Sequence, residues 1–238
     1  MADEFGTSRM TPAPERQPLA AVRLSKPPGY YSETRANVIE ELPLPLGRVL
    51  DVGCGEGGAN GPLRERGATW ISGIEVLSEP AARAAEHYDE VEVGDALDAL
   101  ERVTGVFDTI LCYDVLEHLV DPAALVRRLR EVARPGGRLH VSVPNARHVS
   151  LASDLVFRGT FGYTDWGHRD STHLRWFTRS DVRRLLEDAG WGVVATVPSA
   201  LHRLRELELP VPARLVHGLG GEFFSRTWYV LARAPGGA

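Results

Sequence analysis

The 238-residue sequence contains only two cysteines and a single lysine. Cys54 and Cys112 lie far apart and outside any Cys-x-x-Cys spacing, which argues against a disulfide framework and against a zinc site built on cysteine. No run approaches the roughly 18 apolar residues that a membrane span requires. The first thirty residues also lack the apolar centre of a signal peptide. We therefore expect a cytoplasmic protein with no membrane partner.

Charge of one sign is not concentrated anywhere along the chain. Lys and Arg total 27 against 32 Asp and Glu, which gives a net charge of -5 and a pI near 5.9. Such a balance gives no support for a nucleic-acid partner or an anionic membrane surface. The basic residues other than Lys26 are arginines, a bias that we expect from a GC-rich genome and that indicates no function. Small molecules are the favoured ligands.

The beginning of the chain has no hydrophobic periodicity. Residues 1–28 are rich in Pro, Ala and charge, which predicts a disordered tail. From Tyr30 to Leu42 apolar residues recur at helical spacing and stop before Pro43, so an N-terminal helix is expected. We expect residues 29–238 to form one domain, a size that single α/β domains often have.

Short apolar segments then alternate with helical segments. Acidic residues close successive segments at intervals of 19 to 24 residues, namely Asp51, Glu75, Asp95 and Asp114. This period is typical of βαβ units and predicts a Rossmann-like, doubly wound α/β sheet that binds ligands at the carboxyl ends of its strands. The predicted strands are Arg48–Val52, Trp70–Ile74, Val91–Val93, Phe107–Cys112 and Arg138–Val143; the predicted helices lie around Leu63 and at Ser78–His87, Ala96–Arg102 and Asp121–Ala133.

The alternation stops after the fifth predicted strand. Residues 145–176 show no clear element, and a loop of that length is typical of a lid or a substrate wall. A helix with its N-cap at Thr178 should follow, ending near Ala189. Two more strands are predicted, Gly192–Val197 and Thr227–Ala232, and the stretch between them stays unassigned.

A glycine-rich turn follows the first predicted strand. Gly53, Gly55 and Gly58 fit the pattern G-x-G-x-x-G, and Glu75 lies 20 residues after Gly55, which formally satisfies a fingerprint for nicotinamide dinucleotides. However, Asp51 ends the strand where its carboxylate would face a pyrophosphate. A cationic ligand such as S-adenosylmethionine (SAM) suits an acid beside a glycine turn better. An NAD-dependent oxidoreductase is the alternative enzyme class.

Five sequence blocks in register resemble the class I SAM-dependent methyltransferases. The blocks are V-L-D-V-G-C-G-E-G at 49–57, G-I-E at 73–75, G-D-A-L at 94–97, F-D-T-I-L-C-Y-D-V-L-E-H-L at 107–119 and P-G-G-R-L-H-V-S-V-P-N at 135–145. The resemblance implies the seven-stranded, mostly parallel sheet of that family with its reversed last strand. An N-terminal helix and a lid insertion after the fifth strand would be added to it.

The resemblance also implies which residues bind the cofactor. Asp51 would lie near the methionine amino group, Glu75 would bind both ribose hydroxyls, and Asp95 would hold the adenine amine. Solvated acids at strand ends are the alternative interpretation of the last two. The full implied set of cofactor-binding residues is Tyr31, Asp51, Gly53, Cys54, Gly55, Glu75, Val76, Asp95, Ala96, Leu97, Asp114 and Val115.

The methyl acceptor is less clearly indicated. The fourth strand is followed by Asp114-Val115-Leu116, not by the Asn/Asp-Pro-Pro-aromatic tetrad of methyltransferases that act on nucleic acid bases. Residues 157–178 are similar to the corresponding segment of small-molecule methyltransferases in the ubiquinone-biosynthesis-like branch, which includes enzymes of glycan and natural-product pathways. The resemblance implies a hydroxyl of a sugar or natural product as the acceptor. N- or C-methylation, or a non-catalytic SAM-binding protein, are the alternatives.

Two histidines of this segment are candidate catalytic bases. A hydroxyl acceptor has a high pKa and needs a base, for which His173 ranks first and His168 second. Alternatively, either histidine only braces the loop. The rate should rise with pH near the ordinary histidine pKa of about 6.5. The aromatic residues expected to wall the acceptor pocket are Phe161, Tyr163, Trp166, Trp176 and Phe177.

No group of residues has the sequence spacing of metal ligands, so we expect no catalytic metal. Histidine and acidic residues from distant segments could nevertheless converge in the fold. We expect a monomer or a homodimer.

Overall fold

The computed structural model describes residue 26 and residues 29–199 and 221–236. Seven strands form one sheet: β1 (Gly47–Val52), β2 (Ala68–Glu75), β3 (Glu90–Val93), β4 (Phe107–Tyr113), β5 (Ala133–Pro144), β6 (Gly192–Pro198) and β7 (Thr227–Arg233). Their order is β3-β2-β1-β4-β5-β7-β6, and β7 runs antiparallel to both of its neighbours. The predicted Rossmann-like sheet with a reversed last strand is confirmed.

The helices pack on this sheet. They are α1 (Ala36–Ile39), α2 (Asn60–Glu65), α3 (Ser78–Ala84), α4 (Ala96–Leu100), α5 (Pro122–Val132), α6 (Val149–Ser153), α7 (Arg179–Asp188) and α8 (Gly221–Phe224), with a 3₁₀ turn at Leu116–His118. Two predicted N-caps are present, because Asp121 accepts from the backbone N–H of Ala124 and Thr178 forms a capping box with Asp181. No helix in the described ranges is long and apolar enough to span a membrane.

Apolar side chains cover both faces of the sheet. Along β4, Ile110 packs into one hydrophobic cluster while its neighbour Leu111 packs into the other, and both are fully buried. Because successive side chains of a strand point to opposite faces, both of which are covered here, the run from Ile110 to Tyr113 is apolar and buried at every position. This explains why the strands read as short continuous apolar segments in the sequence.

The order of the strands creates a crevice above β1. This strand pairs with β2 on one side and β4 on the other, so the chain leaves β1 in one direction and later returns on its opposite side. Ligands of open α/β sheets bind at such a switch point, outside the carboxyl ends of the strands. The glycine turn 53–55 follows β1 directly and therefore lies in this crevice.

The N-terminal helix is much shorter than predicted. Only α1 is helical, and Arg35 before it has a left-handed backbone with φ 52°. Tyr30 and Tyr31 lie in a turn instead, because the carbonyl of Tyr31 accepts a hydrogen bond from the backbone N–H of Glu56 (2.8 Å). The prediction of a helix over this whole segment was wrong, since the segment is tied to the glycine turn.

Two other regions differ from the sequence-based expectation. The segment 145–176 begins with α6 and a π-helical turn at Asp154–Arg158, so it is more regular than predicted. Lys26 lies within the predicted tail 1–28, yet its side chain is only 2% exposed. Most of the unassigned stretch between β6 and β7 lies outside the described residues.

Candidate active site

A cavity of about 580 Å³ opens at the carboxyl edge of the sheet. It is lined by the glycine turn, the ends of β2 and β4, the segment 29–35 and the segment 166–173. All predicted site residues line it except Leu97. The side chain of Leu97 packs against the hydrophobic core, and its backbone N–H donates to Asp95. The structure thus brings the predicted cofactor residues and both candidate histidines to one cavity.

The glycine turn depends on the absence of side chains at two positions. Gly53 and Gly55 have φ values of 75° and 56°, in the left-handed region that favours glycine. A Cβ on Gly55 would lie 2.3 Å from the carbonyl oxygen of Tyr31, and one on Gly53 would lie 2.6 Å from Val115. The turn therefore brings bare backbone to the cavity wall and allows the Tyr31 segment to cross it closely.

The Glu75 carboxylate is held by backbone donors on two sides. Its Oε2 accepts from the N–H of Gly55 and its Oε1 from the N–H of Leu77, both at 3.0 Å. The residue is buried and lines the cavity, so it is not a solvated strand end. This geometry fixes the carboxylate beside the glycine turn, where it can bind a ligand hydroxyl.

Asp51 is buried at the bottom of the cavity. The hydroxyl of Tyr88 donates to its Oδ2 at 2.7 Å. Burial raises the pKa of Asp51 to about 6, against the opposing effects of the Tyr88 hydrogen bond and the Arg35 charge. A cationic ligand in the cavity would favour the charged carboxylate and bring this pKa down again.

The adenine-site candidates lie at the start of α4. Asp95 is the N-cap of this helix and accepts from the N–H of Leu97 at 3.0 Å, while Ala96 is buried beside it. Val76 is 41% exposed and lines the same part of the cavity, as an apolar wall for a flat ring would. The capping bond uses one carboxylate oxygen of Asp95, and the other has no hydrogen bond or ion pair within the described part of the chain.

Asp114 follows β4 in a left-handed conformation with φ 53°. Its carboxylate accepts from the Ser142 hydroxyl at 2.7 Å and forms an ion pair with Arg35 at 2.8 Å. Burial opposes its charge, but Arg35 and Ser142 outweigh burial and hold the pKa of Asp114 below its usual value. Asp114 therefore anchors the segment 29–35 over the cavity, next to Val115.

Glu117, His118 and His173 converge at the other end of the cavity. The backbone N–H groups of Leu174 and Arg175 donate to the Glu117 carbonyl, which places His173 Nε2 3.9 Å from Glu117 Oε1. Burial raises the pKa of Glu117 well above its usual value and lowers that of His173 to about 4. His173 is therefore neutral near pH 7, and burial favours the neutral form of Glu117.

Each of these three residues has one potential ligand atom within 4.8 Å of the others, close enough for the three to share a divalent ion. Glu117 is separated from His173 by 56 positions, so sequence spacing gave no sign of this group. The expectation of no catalytic metal was based on spacing alone and stays a prediction.

His168 is fixed by the backbone. Its Nε2 lies 2.8 Å from the carbonyl oxygen of Asn145, and since a carbonyl only accepts, Nε2 carries the proton. The other ring nitrogen, Nδ1, is then a bare acceptor; it is buried and has no hydrogen-bond partner within the described ranges. Burial lowers the pKa of His168 below the ordinary histidine value, so the neutral form of the ring is favoured at pH 7.

The predicted aromatic wall is only partly correct. Trp166 lines the cavity and is 60% exposed, whereas Phe177 is buried in the hydrophobic core. Phe161, Tyr163 and Trp176 stack on one another beside the cavity without lining it, with ring centroids 4.4 to 5.9 Å apart. These rings brace the segment that carries His168, whose carbonyl accepts from Trp176 Nε1.

Several cavity residues were not predicted. Lys26, Tyr30, Arg35 and Glu117 all line the cavity. Tyr30 is adjacent to the predicted Tyr31, and Glu117 lies within the block 107–119, so the sequence gives a weak indication that both belong to the site. Lys26 and Arg35 carried none, because their positions depend on a chain segment that folds back over the sheet.

The sheet with its reversed last strand and the glycine turn at the switch point define a Rossmann-like cofactor-binding domain. A family model described as a methyltransferase domain matches residues 23–196. The chain therefore belongs to the class I SAM-dependent methyltransferases, and SAM is its cofactor.

The chain is similar to the ubiquinone biosynthesis O-methyltransferase of Pseudomonas paraeruginosa, with 35% identity over 129 residues, which cover 50% of this chain and 54% of that protein. The protein of the same name from Neisseria meningitidis is 27% identical over 172 residues, with coverage of 67% and 69%. The chain spans about half the length of the Pseudomonas relative.

Among solved structures, the chain resembles magnesium protoporphyrin IX methyltransferase from Synechocystis with bound S-adenosylhomocysteine (SAH), at a TM-score of 0.58 and 20% identity. The match covers 85% of this chain and 83% of that protein, and it supports the fold.

Proposed function

We propose that this protein transfers the methyl group of SAM to a hydroxyl oxygen of a small molecule, with a sugar or natural-product hydroxyl as the acceptor. The observation that carries the proposal is the buried Nδ1 of His168, a residue of the cavity wall, which has no hydrogen-bond partner among the described residues. A neutral imidazole with a free lone pair is what a hydroxyl acceptor needs as a proton acceptor, and an amine or carbon acceptor would not require it.

In this proposal the cavity has two ends with different chemistry. Asp51 lies near the amino group of SAM, Glu75 binds the ribose hydroxyls, and Asp95 and Val76 hold the adenine. Asp114 and Val115 would flank the sulfonium, which is supported by their position directly after β4 in the same cavity as these acids and the histidines. The methyl group would then face the end of the cavity that carries His168 and His173.

The reaction is an in-line displacement at the methyl carbon. The protein contributes by holding the acceptor oxygen in line with the sulfonium at near-attack distance. As the oxygen bonds to the methyl carbon and the bond to sulfur breaks, the hydroxyl proton passes to a histidine nitrogen. SAM leaves as SAH, and the histidine returns its proton to solvent.

The names of the relatives support an oxygen acceptor. The proteins from Pseudomonas and Neisseria are named O-methyltransferases, although the aligned part covers only 54% of the first.

In this proposal residues 145–176 act as a lid over the acceptor. The protein acts in the cytoplasm as a monomer or homodimer, without a nucleic-acid partner.

A panel of matched acceptors tests the proposal. We expect transfer of a labelled methyl group from SAM to catechol or to a phenolic glycoside, and none to aniline, which offers an amine on a similar ring. Transfer to aniline alone would contradict an oxygen acceptor. SAH binding without turnover of a wide panel would favour a non-catalytic SAM-binding protein.

The pH dependence of turnover follows from the lowered pKa of His168. The neutral ring is the active form, and it is lost only as the pH falls through this lowered value. We therefore expect kcat for the accepted hydroxyl to stay level as the pH falls from 8 towards about 6.5, the ordinary histidine value, and to decrease only below it. This differs from the sequence-based expectation of a rise centred near 6.5. A half-maximal rate above pH 7 would contradict the assignment.

A further inference from the structure

Lys26, the only lysine of the chain, has an unusual position for a residue that precedes the domain. Its side chain is 2% exposed and lines the cavity. The ammonium group donates to the carbonyl of Asp165 at 2.8 Å and forms an ion pair with the Asp170 carboxylate. It also lies 5.6 Å from the centre of the Tyr30 ring. Lys26 therefore joins the segment before β1 to the segment that carries the candidate histidines.

The Asp170 carboxylate also binds Thr172. Its Oδ2 pairs with Lys26, while its Oδ1 accepts from both the backbone N–H (2.9 Å) and the hydroxyl (2.8 Å) of Thr172. Burial works against the charge of Asp170, but the hydrogen bonds from Lys26 and Thr172 outweigh it and keep its pKa below the usual value. Asp170 is thus an anion that only accepts.

This fixes the direction of the next hydrogen bond. The single hydroxyl proton of Thr172 is used on Asp170, so its oxygen can only accept from His118 Nδ1, 3.1 Å away. The carbonyl oxygen of Thr172 also lies 3.3 Å from the same nitrogen and can only accept. Nδ1 of His118 therefore carries a proton, and in the neutral ring Nε2 carries the lone pair.

We propose that Lys26 is a positioning residue of the active site: through Asp170 and Thr172 it holds the His118 ring in the Nδ1–H tautomer and in one orientation in the cavity wall, where the ring contacts the methyl acceptor. This inference rests on the proposed hydroxyl acceptor. It gives His118 a place at the acceptor, which the sequence indicates only for His173 and His168. His118 lines the cavity, and its ring packs edge-on against His173 with centroids 4.8 Å apart.

A lysine suits this position better than the arginine used elsewhere in the chain. The compact ammonium group reaches a carbonyl and a carboxylate oxygen from within a nearly closed site, whereas a planar guanidinium needs more room. Removing the ammonium would leave Asp170 buried without its counter-charge. The carboxylate would then be free to turn away from Thr172, which would release the hydroxyl proton of Thr172 towards His118.

The tautomer of His118 is measured by long-range ¹H–¹⁵N NMR on the full-length protein at pH 7.5, with the His118 signals assigned by their loss in His118→Gln. We expect the Nδ1–H tautomer in the wild type. Thr172→Val and Lys26→Met should raise the share of the Nε2–H tautomer, because only the longer contact of Nδ1 with the Thr172 carbonyl (3.3 Å) then favours a proton on Nδ1, and Thr172→Ser should keep the wild-type pattern. Arg183→Met, which removes an exposed ion pair with Glu187, is the matched control. A wild-type ring in the Nε2–H form, or a tautomer unchanged in both Thr172→Val and Lys26→Met, would overturn the proposal.

Turnover of catechol with SAM gives the second measurement. Lys26→Met and Thr172→Val should lower kcat by about 10²-fold, the cost of a misplaced reacting group, with an unchanged Kd for SAH. Thr172→Ser should keep the wild-type kcat. A shifted tautomer with full turnover in these variants would overturn the positioning role. If the wild type methylates an amine and no hydroxyl, the proposed function fails. The NMR result still decides whether Lys26 and Thr172 control the tautomer of His118.

Discussion

Replacing Glu75 with alanine is expected to weaken SAH binding about 10- to 150-fold. Hydrogen bonds that involve a charged group contribute about 1.5 to 3 kcal/mol, which corresponds to that range of Kd. In this protein the carboxylate also holds the N–H groups of Gly55 and Leu77. Its removal should therefore cost both the ribose contacts and the shape of the glycine turn. Isothermal titration calorimetry with SAH measures the effect.

Two variants separate these contributions. Glu75→Gln keeps one oxygen acceptor for the turn and should lose less affinity than Glu75→Ala. Glu79→Ala removes an exposed acid that pairs with Arg83 on α3 and should leave the Kd unchanged. An unchanged Kd in a folded Glu75→Ala protein would mean that the ribose does not bind at this carboxylate.

Replacing His168 with alanine is expected to lower kcat by about 10²- to 10⁴-fold, the usual contribution of a positioned general base. The Kd for SAH should stay nearly unchanged, because His168 lies at the acceptor end of the cavity. Its Nε2 is bound to the carbonyl of Asn145, so the lost group is a lone pair on Nδ1 rather than a positive charge. Steady-state kinetics with the accepted hydroxyl compound, together with SAH titration, measures both quantities.

The matched variants are His173→Ala and His87→Ala. The sequence ranks His173 first as a base. A decrease in kcat in His173→Ala but not in His168→Ala would therefore identify His173 as the proton acceptor. His87 is exposed and lies outside the main cavity, and its removal should change neither kcat nor Kd. Full turnover in both His168→Ala and His173→Ala would contradict base catalysis by either histidine.

The fold could be predicted from the sequence because its signals are local. Buried strands such as Phe107–Tyr113 are short, mostly apolar runs, and Asp121 and Thr178 cap helices through neighbours three residues away. Glu75 and Asp95 could be placed at one edge because acids recur with the period of βαβ units. These features depend on chain neighbours and on the repeating unit of a parallel sheet.

The acceptor end could not be predicted in the same way, because distant segments build it. His118 meets Thr172 and His173 only when the segment after β5 folds back over the 3₁₀ turn at Leu116–His118. Lys26 reaches Asp170 across 144 positions, and nothing in its local sequence indicates burial. The turn at Tyr31 replaces a predicted helix for the same reason, since its partner Glu56 lies in another element.

Calorimetric titration of the wild-type protein with SAH and with NAD, in parallel in one buffer, distinguishes a SAM site from a dinucleotide site at the glycine turn. The Asp51 carboxylate beside the glycine turn favours a ligand with a cationic amino group over a pyrophosphate, whereas Glu75 could bind the ribose hydroxyls of either ligand. We expect SAH to bind at one site per chain and NAD to give no binding heat. Saturable binding of NAD without a response to SAH would contradict it.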